Sequence, residues 1–129
     1  MRALIALVVL WVATAQGTVL DSSQVTTGTL ATAQTATGAS ANSIKVGRGK
    51  YRTLVVTSWN TAGTATTQLE INCTGAATGW SLVSGSSSAL TVSAAAVSVV
   101  YPLCEYRLNA TACATCSVNA SFFLGPEMQ

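Results

Sequence analysis

Three stretches of this sequence alternate between mainly apolar and mainly polar residues, and this period of two constrains the fold more than any other feature. The stretches are ATTQLEIN (65–72), CEYRLN (104–109) and CSVNASFFL (116–124). In the first of them, Ala65, Thr67, Leu69 and Ile71 fall on one side and the more polar residues on the other. Successive side chains of a β-strand point to opposite faces, so each stretch predicts a half-buried strand.

Short runs of β-branched and aromatic residues occupy most of the remaining chain after residue 50. They are YRTLVVTSW (51–59), WSLVS (80–84), ALTVSA (89–94) and AVSVVY (96–101). Turn signals rich in Gly, Asn and Ser separate them at intervals of roughly 8 to 12 residues, a spacing typical of sandwiches and barrels. The sequence therefore predicts an all-β fold, an antiparallel β-sandwich of about seven short strands with an extended N-terminal arm. The predicted core consists of Leu54, Val56, Trp59, Leu69, Ile71, Trp80, Leu82, Leu90, Val92, Val97, Val99, Tyr106, Val118 and Phe122.

Residues 1–16 have the pattern of a secretory leader. Arg2 is followed by the apolar run 3–12, and Ala13-Thr14-Ala15 matches the small-x-small pattern of a cleavage site. The alternative is a hydrophobic N-terminal arm that packs in an oligomer. A transmembrane helix needs roughly 20 apolar residues, so no stable membrane span is predicted.

Residues 17–43 are nearly all small and polar, and they predict an extended arm or linker rather than a helix. One short strand is expected around residues 24–31. The predicted organisation is thus a leader or arm over 1–16, a Ser/Thr/Ala-rich arm or linker over 17–43, and a β-sandwich domain over 44–125.

The chain is unusually poor in ionic groups and contains no histidine. Charged residues make up 8% of the sequence, against about 25% in an ordinary soluble domain. Such a composition favours a subunit whose faces are covered by neighbours. Glu70 and Glu105 could pair as acid and base, but each lies on the polar side of a strand, where solvated residues are expected. We therefore expect no catalytic residue, no small-molecule substrate and no cofactor, and we expect that the protein is not an enzyme.

Cys73, Cys104, Cys113 and Cys116 are the sharpest chemical feature. An even number of cysteines in an exported chain predicts disulfides, and the pairing expected here is Cys73–Cys104 and Cys113–Cys116. Free buried thiols are the second interpretation. A zinc site ranks third because the chain has one C-x-x-C and no second knuckle, so no metal is expected. A thioredoxin-like motif would need a helix start, whereas this motif lies between predicted strands.

A basic cluster precedes the first strand of the predicted sandwich domain. Lys45, Arg48, Lys50 and Arg52 lie within KVGRGKYR (45–52), and they could contact an acidic partner surface. The alternative is a glycine turn whose cations keep the molecule soluble. Because no aromatic stacking platform accompanies these charges, direct nucleic-acid binding is not expected.

The chain resembles the small β-sandwich accessory proteins of tailed-phage virions, of the head decoration or cement type. The stretches that carry the resemblance are GKYRTLVVTSWNTAGTATTQLEI, GWSLVSGSSSALTVSAAAVSVVYP and EYRLNATAC. The resemblance implies a virion structural protein that reinforces a capsid, with copies of itself and a major capsid or other virion protein as its partners. Such proteins often form trimers and use an N-terminal arm to reach their neighbours.

Two other functions fit the sequence. The first is a secreted, disulfide-bonded subunit of a cell surface or pilus-like extracellular filament, in which residues 17–43 would add a strand to the next subunit's sheet. The second is a carbohydrate- or ligand-binding sandwich, for which Trp59 and Trp80 are the supporting residues.

Overall fold

The computed structural model describes residues 18–47, 51–90, 93–99, 101 and 103–126, and this part of the chain consists of β-strands and loops without a helix. The strands are β1 (Thr18–Asp21), β2 (Thr27–Gln34), β3 (Gly38–Ala39), β4 (Asn42–Lys45), β5 (Tyr51–Asn60), β6 (Thr64–Asn72), β7 (Ser81–Leu82), β8 (Ser88–Leu90), β9 (Ser93–Val99), β10 (Glu105–Ala114) and β11 (Val118–Pro126). The leader-like residues 1–16 lie outside the described residues.

The strands form two sheets that enclose one core. The seven-stranded sheet has the order β1-β4-β10-β6-β7, with β3 beside β10 and β8 beside β6. The four-stranded sheet has the order β2-β11-β5-β9 and is antiparallel throughout. The predicted all-β, sandwich-like fold is confirmed. Two details differ: the described residues form eleven strands rather than about seven, and β1 pairs with β4 in parallel.

The core follows the alternation that the sequence predicted for the long strands. Every second residue of β6 and β11 is turned inward, and the same holds for β5 and for β10 as far as Ala110, where its register shifts. The buried cluster consists of Leu30, Ala31, Ile44, Val46, Leu54, Val56, Ala65, Leu69, Leu90, Cys104, Tyr106, Leu108, Cys116, Val118, Ala120, Phe122 and Leu124. Tyr106 is the largest fully buried side chain, and its hydroxyl oxygen accepts a 3.0 Å hydrogen bond from the backbone N–H of Tyr101.

Two residues of the predicted core are exposed to solvent. Trp59 is 37% exposed and Leu82 is 50% exposed. The strand period explains Trp59, because Leu54, Val56 and Ser58 take the inward positions of β5 and Trp59 therefore faces outward. Leu82 lies in a strand of two residues at the sheet edge.

The remaining predicted core residues have different outcomes. Ile71 is half-buried and packs against the core. The prediction is also wrong for Trp80, which is half-buried outside the core, against the Arg107 guanidinium on the outer face of the seven-stranded sheet. Val92 lies outside the described residues. The backbone of Val97 and Val99 pairs in β9 with Val55 and Thr53, and their side chains are outside the described part.

Of the predicted arm 17–43, the described residues 18–43 are largely extended, as predicted, but they belong to the sandwich itself. They supply β1, β2, β3 and part of β4, so they contribute to both sheets. Leu30 and Ile44 anchor this segment in the core with no solvent exposure. The arm or linker was predicted because the segment contains few large apolar residues. Burial of Leu30 and the nearby Ile44 is nevertheless enough to hold the segment in the sandwich.

Candidate functional site

All four cysteines form the disulfides that the sequence predicted, Cys73–Cys104 and Cys113–Cys116. The first joins the end of β6 to the start of its neighbour β10, and the second spans the turn between β10 and β11. Cys104 and Cys116 are buried, whereas Cys73 is exposed, because it follows the last residue of β6 and no longer obeys the strand alternation. Structural disulfides are typical of oxidising, extracellular environments.

The two outer faces of the sandwich differ completely in charge. Asp21, Lys45, Glu70, Glu105 and Arg107 are the charged residues whose side chains the structure describes, and all of them lie on the outer face of the seven-stranded sheet. Asp21 pairs in register with Lys45, Lys45 with Glu105, and Arg107 with Glu70. Opposite charges therefore occupy neighbouring positions across four strands.

Glu70 lies at the centre of a polar cluster on this face. It is only 7% exposed, although the sequence placed it among solvated residues. Arg107 Nε donates to Oε1 at 2.8 Å, and the side-chain amides of Gln68 and Asn109 each donate to Oε2 at 2.9 Å. The guanidinium carbon of Arg107 also lies 4.0 Å from the ring centroid of Trp80, a cation–π geometry.

These partners keep the Glu70 carboxylate ionised. Burial raises the pKa of Glu70, but hydrogen bonds from Gln68, Arg107 and Asn109, with the positive charge of Arg107, outweigh that effect and hold the pKa below its usual value. No pattern in the sequence indicated that Gln68, Arg107 and Asn109 would cluster around Glu70. Their common feature, a position on adjacent strands in matching register, becomes visible only once β6 and β10 are known to pair.

A shallow groove of about 210 Å³ lies on the same face, next to the polar cluster. Its lining residues are Val19, Ala39, Ser40, Ala41, Asn42, Ser43, Trp80, Glu105 and Arg107. Ser43 Oγ donates to Glu105 Oε2 at 2.5 Å, which fixes that carboxylate at the groove wall. Glu105 and Arg107 have opposite charges, so they contribute no net charge to the groove.

Of the predicted basic cluster, Lys45 alone has a described side chain, and it is exposed at the end of β4. Arg48 and Lys50 lie outside the described residues, and the Arg52 side chain does too. The proposed contact between this cluster and a partner stays a prediction.

The outer face of the four-stranded sheet carries no charged side chain among the described residues. It combines exposed aromatics with threonines and small polar residues. Its outward residues are Thr27, Thr29, Thr53, Val55, Thr57, Trp59, Asn119, Ser121 and Phe123. Phe123 is 49% exposed and pairs with Val55, while Trp59 lies two outward positions further along β5. We call this surface the uncharged face.

No known protein family matches this chain, and neither a curated protein nor a solved structure does. In the part of the chain that the structure describes, no helix is long and apolar enough to cross a membrane. Nor do the described residues bring together three or more His, Cys, Asp or Glu side chains that could hold a metal ion.

Proposed function

We infer that this protein is a non-enzymatic structural subunit that works in an oxidising environment and joins its assembly by burying the uncharged face against a second copy of the chain. The observation that carries this proposal is the segregation of charge. Every charged side chain in the described residues lies on one face of the sandwich, and the opposite face presents Trp59 and Phe123.

Exposed aromatics on an uncharged surface favour protein contacts. Interface cores are depleted in charged residues and enriched in aromatic ones, and Trp is among the residues that contribute most to binding. Burying Trp59 and Phe123 against a partner would remove apolar area from water at no cost in charge desolvation. The charged face is better suited to solvent, because burying charged side chains such as Asp21 and Lys45 would cost desolvation free energy.

The uncharged face is also large enough. Four strands about 4.8 Å apart, each with about eight paired residues at about 3.4 Å, cover about 500 Å². Two such faces packed together bury about 1,000 Å², the area at which specific interfaces begin. A self-complementary contact between two copies therefore reaches the required size without a further partner.

The disulfides favour an exported form of this subunit, located on a cell surface or in an extracellular filament. Disulfides form and persist outside the reducing cytoplasm, and residues 1–16 have the pattern of a secretory leader. Strand addition by residues 17–43 is not part of this proposal, because β1 and β4 pair with each other within the chain. Association through sheet faces replaces it.

A virion decoration subunit is the second candidate. The two unlike faces support it, since the uncharged face could pack against a neighbour while the charged face stays in solvent. Intact-mass measurement of the assembled protein separates the candidates. A chain that starts at Gln16 and lacks the four hydrogens of two disulfides would favour export. A chain that retains Met1 with free thiols would favour the virion.

Sedimentation velocity over a range of concentrations tests the assembly face. We expect the wild-type chain to associate, and we expect the double variant Trp59→Ser, Phe123→Ser to lower the association constant at least about a hundredfold, since each aromatic removed costs tenfold or more. Leu82→Ser is the matched control, because Leu82 is equally exposed but lies on the other sheet. A wild-type chain that stays single at high concentration, or a Leu82 variant that dissociates equally, would refute the proposal.

A further inference from the structure

The groove beside Trp80 has polar and aromatic walls that the strands hold in fixed positions. Arg107 lies on β10 and is tied to Glu70 by the 2.8 Å bond from Nε, and its guanidinium stacks on the Trp80 ring. Glu105, two residues earlier on the same strand, is held by Ser43 of β4. The guanidinium and the carboxylate are therefore preorganised by the sheet, and the indole, in the loop before β7, lies against the guanidinium.

Each of these groups retains hydrogen-bonding capacity toward the groove. In the described structure, Arg107 uses Nε alone, which leaves its two terminal nitrogens as donors. Glu105 uses Oε2 for Ser43 and keeps Oε1 as an acceptor. Asn42 also lines the groove, and its side-chain amide donates to the carbonyl oxygen of Thr29 on β2.

The size and charge of the groove restrict its ligand. A volume of about 210 Å³ is below the roughly 300 Å³ at which sites for drug-sized molecules begin. One positive and one negative side chain line it, so it offers no net attraction to an anion or a cation. Ala39 and Ala41 contribute small side chains to its lining. The groove suits one compact, neutral, hydroxyl-rich ring.

We propose that this groove binds a single neutral pyranose residue of a surface glycan. The Arg107 guanidinium presents two free donors in one plane, and Glu105 Oε1 can accept from a neighbouring hydroxyl of a sugar. The guanidinium covers one face of the half-buried Trp80 indole, and the remaining apolar surface of the indole would contact the C–H groups of the sugar. This site lies on the charged face, so it does not depend on association through the uncharged face.

NMR titration of the full chain tests this proposal. The probes are the methyl glycosides of glucose, galactose, mannose and N-acetylglucosamine, with glucuronic acid as an anionic comparison. We expect at least one neutral glycoside to shift the Trp80 indole N–H resonance, assigned through its loss in Trp80→Phe, while the Trp59 resonance stays in place. Glu105→Ala is expected to weaken that binding about tenfold through loss of a charged hydrogen-bond acceptor.

Two further variants guard against a folding artefact. Ala41→Phe fills the groove from an exposed loop position without deleting a core contact, and it should abolish the shift. The double variant Trp59→Ser, Phe123→Ser should keep sugar binding even though it is designed to lose association. The proposal is overturned if no neutral glycoside moves the Trp80 resonance, if glucuronic acid binds more tightly, or if Ala41→Phe binds as the wild type does.

Discussion

The Glu70 carboxylate is buried, and both of its oxygens accept hydrogen bonds from neighbouring side chains. A carboxylate removed from water is costly unless hydrogen bonds and an opposite charge compensate for it. Gln68, Arg107 and Asn109 provide that compensation on both carboxylate oxygens. Because Arg107 is also stacked on Trp80, the same interactions that stabilise Glu70 orient one wall of the groove.

Replacement of Glu70 by Gln should make stability less sensitive to acid. The pKa of Glu70 is below its usual value in the folded protein, so its stabilising effect is complete above its unfolded pKa of about 4.3 and is lost as the pH falls through the folded pKa. We expect Glu70→Gln to be about 2 kcal/mol less stable than the wild type at pH 7, and we expect this difference to be smaller at pH 2. Urea unfolding at both pH values measures this.

Asp21→Asn is the control for Glu70→Gln. The pKa of Asp21 is also below its usual value, through its hydrogen bonds to Ser23, but the carboxylate is exposed and screened by solvent. Its variant should show a much smaller pH dependence, which added salt reduces further. An equal stability difference between the wild type and Glu70→Gln at both pH values would contradict our explanation of Glu70.

At the scale of elements, the turn between β5 and β6 packs directly on the turn between β10 and β11. Gly63 has a φ of 55°, and a Cβ there would collide with the backbone carbonyl oxygens of Ala114 and Thr115. Gly85 has a φ of 79° and open space around it. We expect Gly85→Ala to cost about 1 kcal/mol, from left-handed backbone alone, and Gly63→Ala to cost about 3 kcal/mol or more. Thermal unfolding compares them, and equal losses would refute the turn contact.

The two disulfides should contribute unequally to stability. Cys73 and Cys104 are 31 residues apart, whereas Cys113 and Cys116 are separated by three. In the chain-entropy model, the longer loop is worth about 3.5 kcal/mol and the shorter about 2 kcal/mol. Guanidinium unfolding of the paired Cys→Ser variants tests this order. A larger loss for the Cys113/Cys116 variant would show that the model does not apply to this fold.

The elements also show how far the sequence alone could predict this fold. The strands β6, β10 and β11 are long enough for the period of two to identify their inward residues, and these predictions are confirmed. β3 and β7 have two residues each, too few for any period. The clustering of Glu70, Arg107 and Asn109 depends on the register between β6 and β10, which no local pattern specifies. Trp59 was assigned to the core by its size, although its strand parity places it outside.

At the scale of the whole molecule, the charged side chains that the structure describes lie on one face of the sandwich, and Trp59 and Phe123 lie on the other. Lys45, Glu105, Arg107 and Glu70 form a row of alternating charge across β4, β10 and β6. Within this row, Arg107 and Glu70 form an ion pair at 2.8 Å, while Lys45 is exposed to solvent. On the opposite sheet, the aromatic side chains of Trp59 and Phe123 are exposed to water, which is unfavourable for apolar surface. Among the residues whose side chains the structure describes, charge is thus concentrated on one of the two surfaces.

A lysine introduced in the uncharged face should prevent association. Thr57 is half-buried and faces outward beside Trp59 and Val55, opposite Ser121. An ammonium group at this position would have to be desolvated in the interface without a partner, at a cost of several kcal/mol. We therefore expect Thr57→Lys to sediment as a single chain. Added salt should not restore association, because the cost is desolvation rather than repulsion that salt could screen.

Thr66→Lys is the matched control, since Thr66 has similar exposure and faces outward on the seven-stranded sheet. It adds the same charge to the molecule as a whole, so it tests whether net charge alone keeps the copies apart. We expect it to associate as the wild type does. If both lysine variants dissociate, or if high salt restores association of Thr57→Lys, then electrostatics between whole molecules rather than burial of the uncharged face would govern assembly.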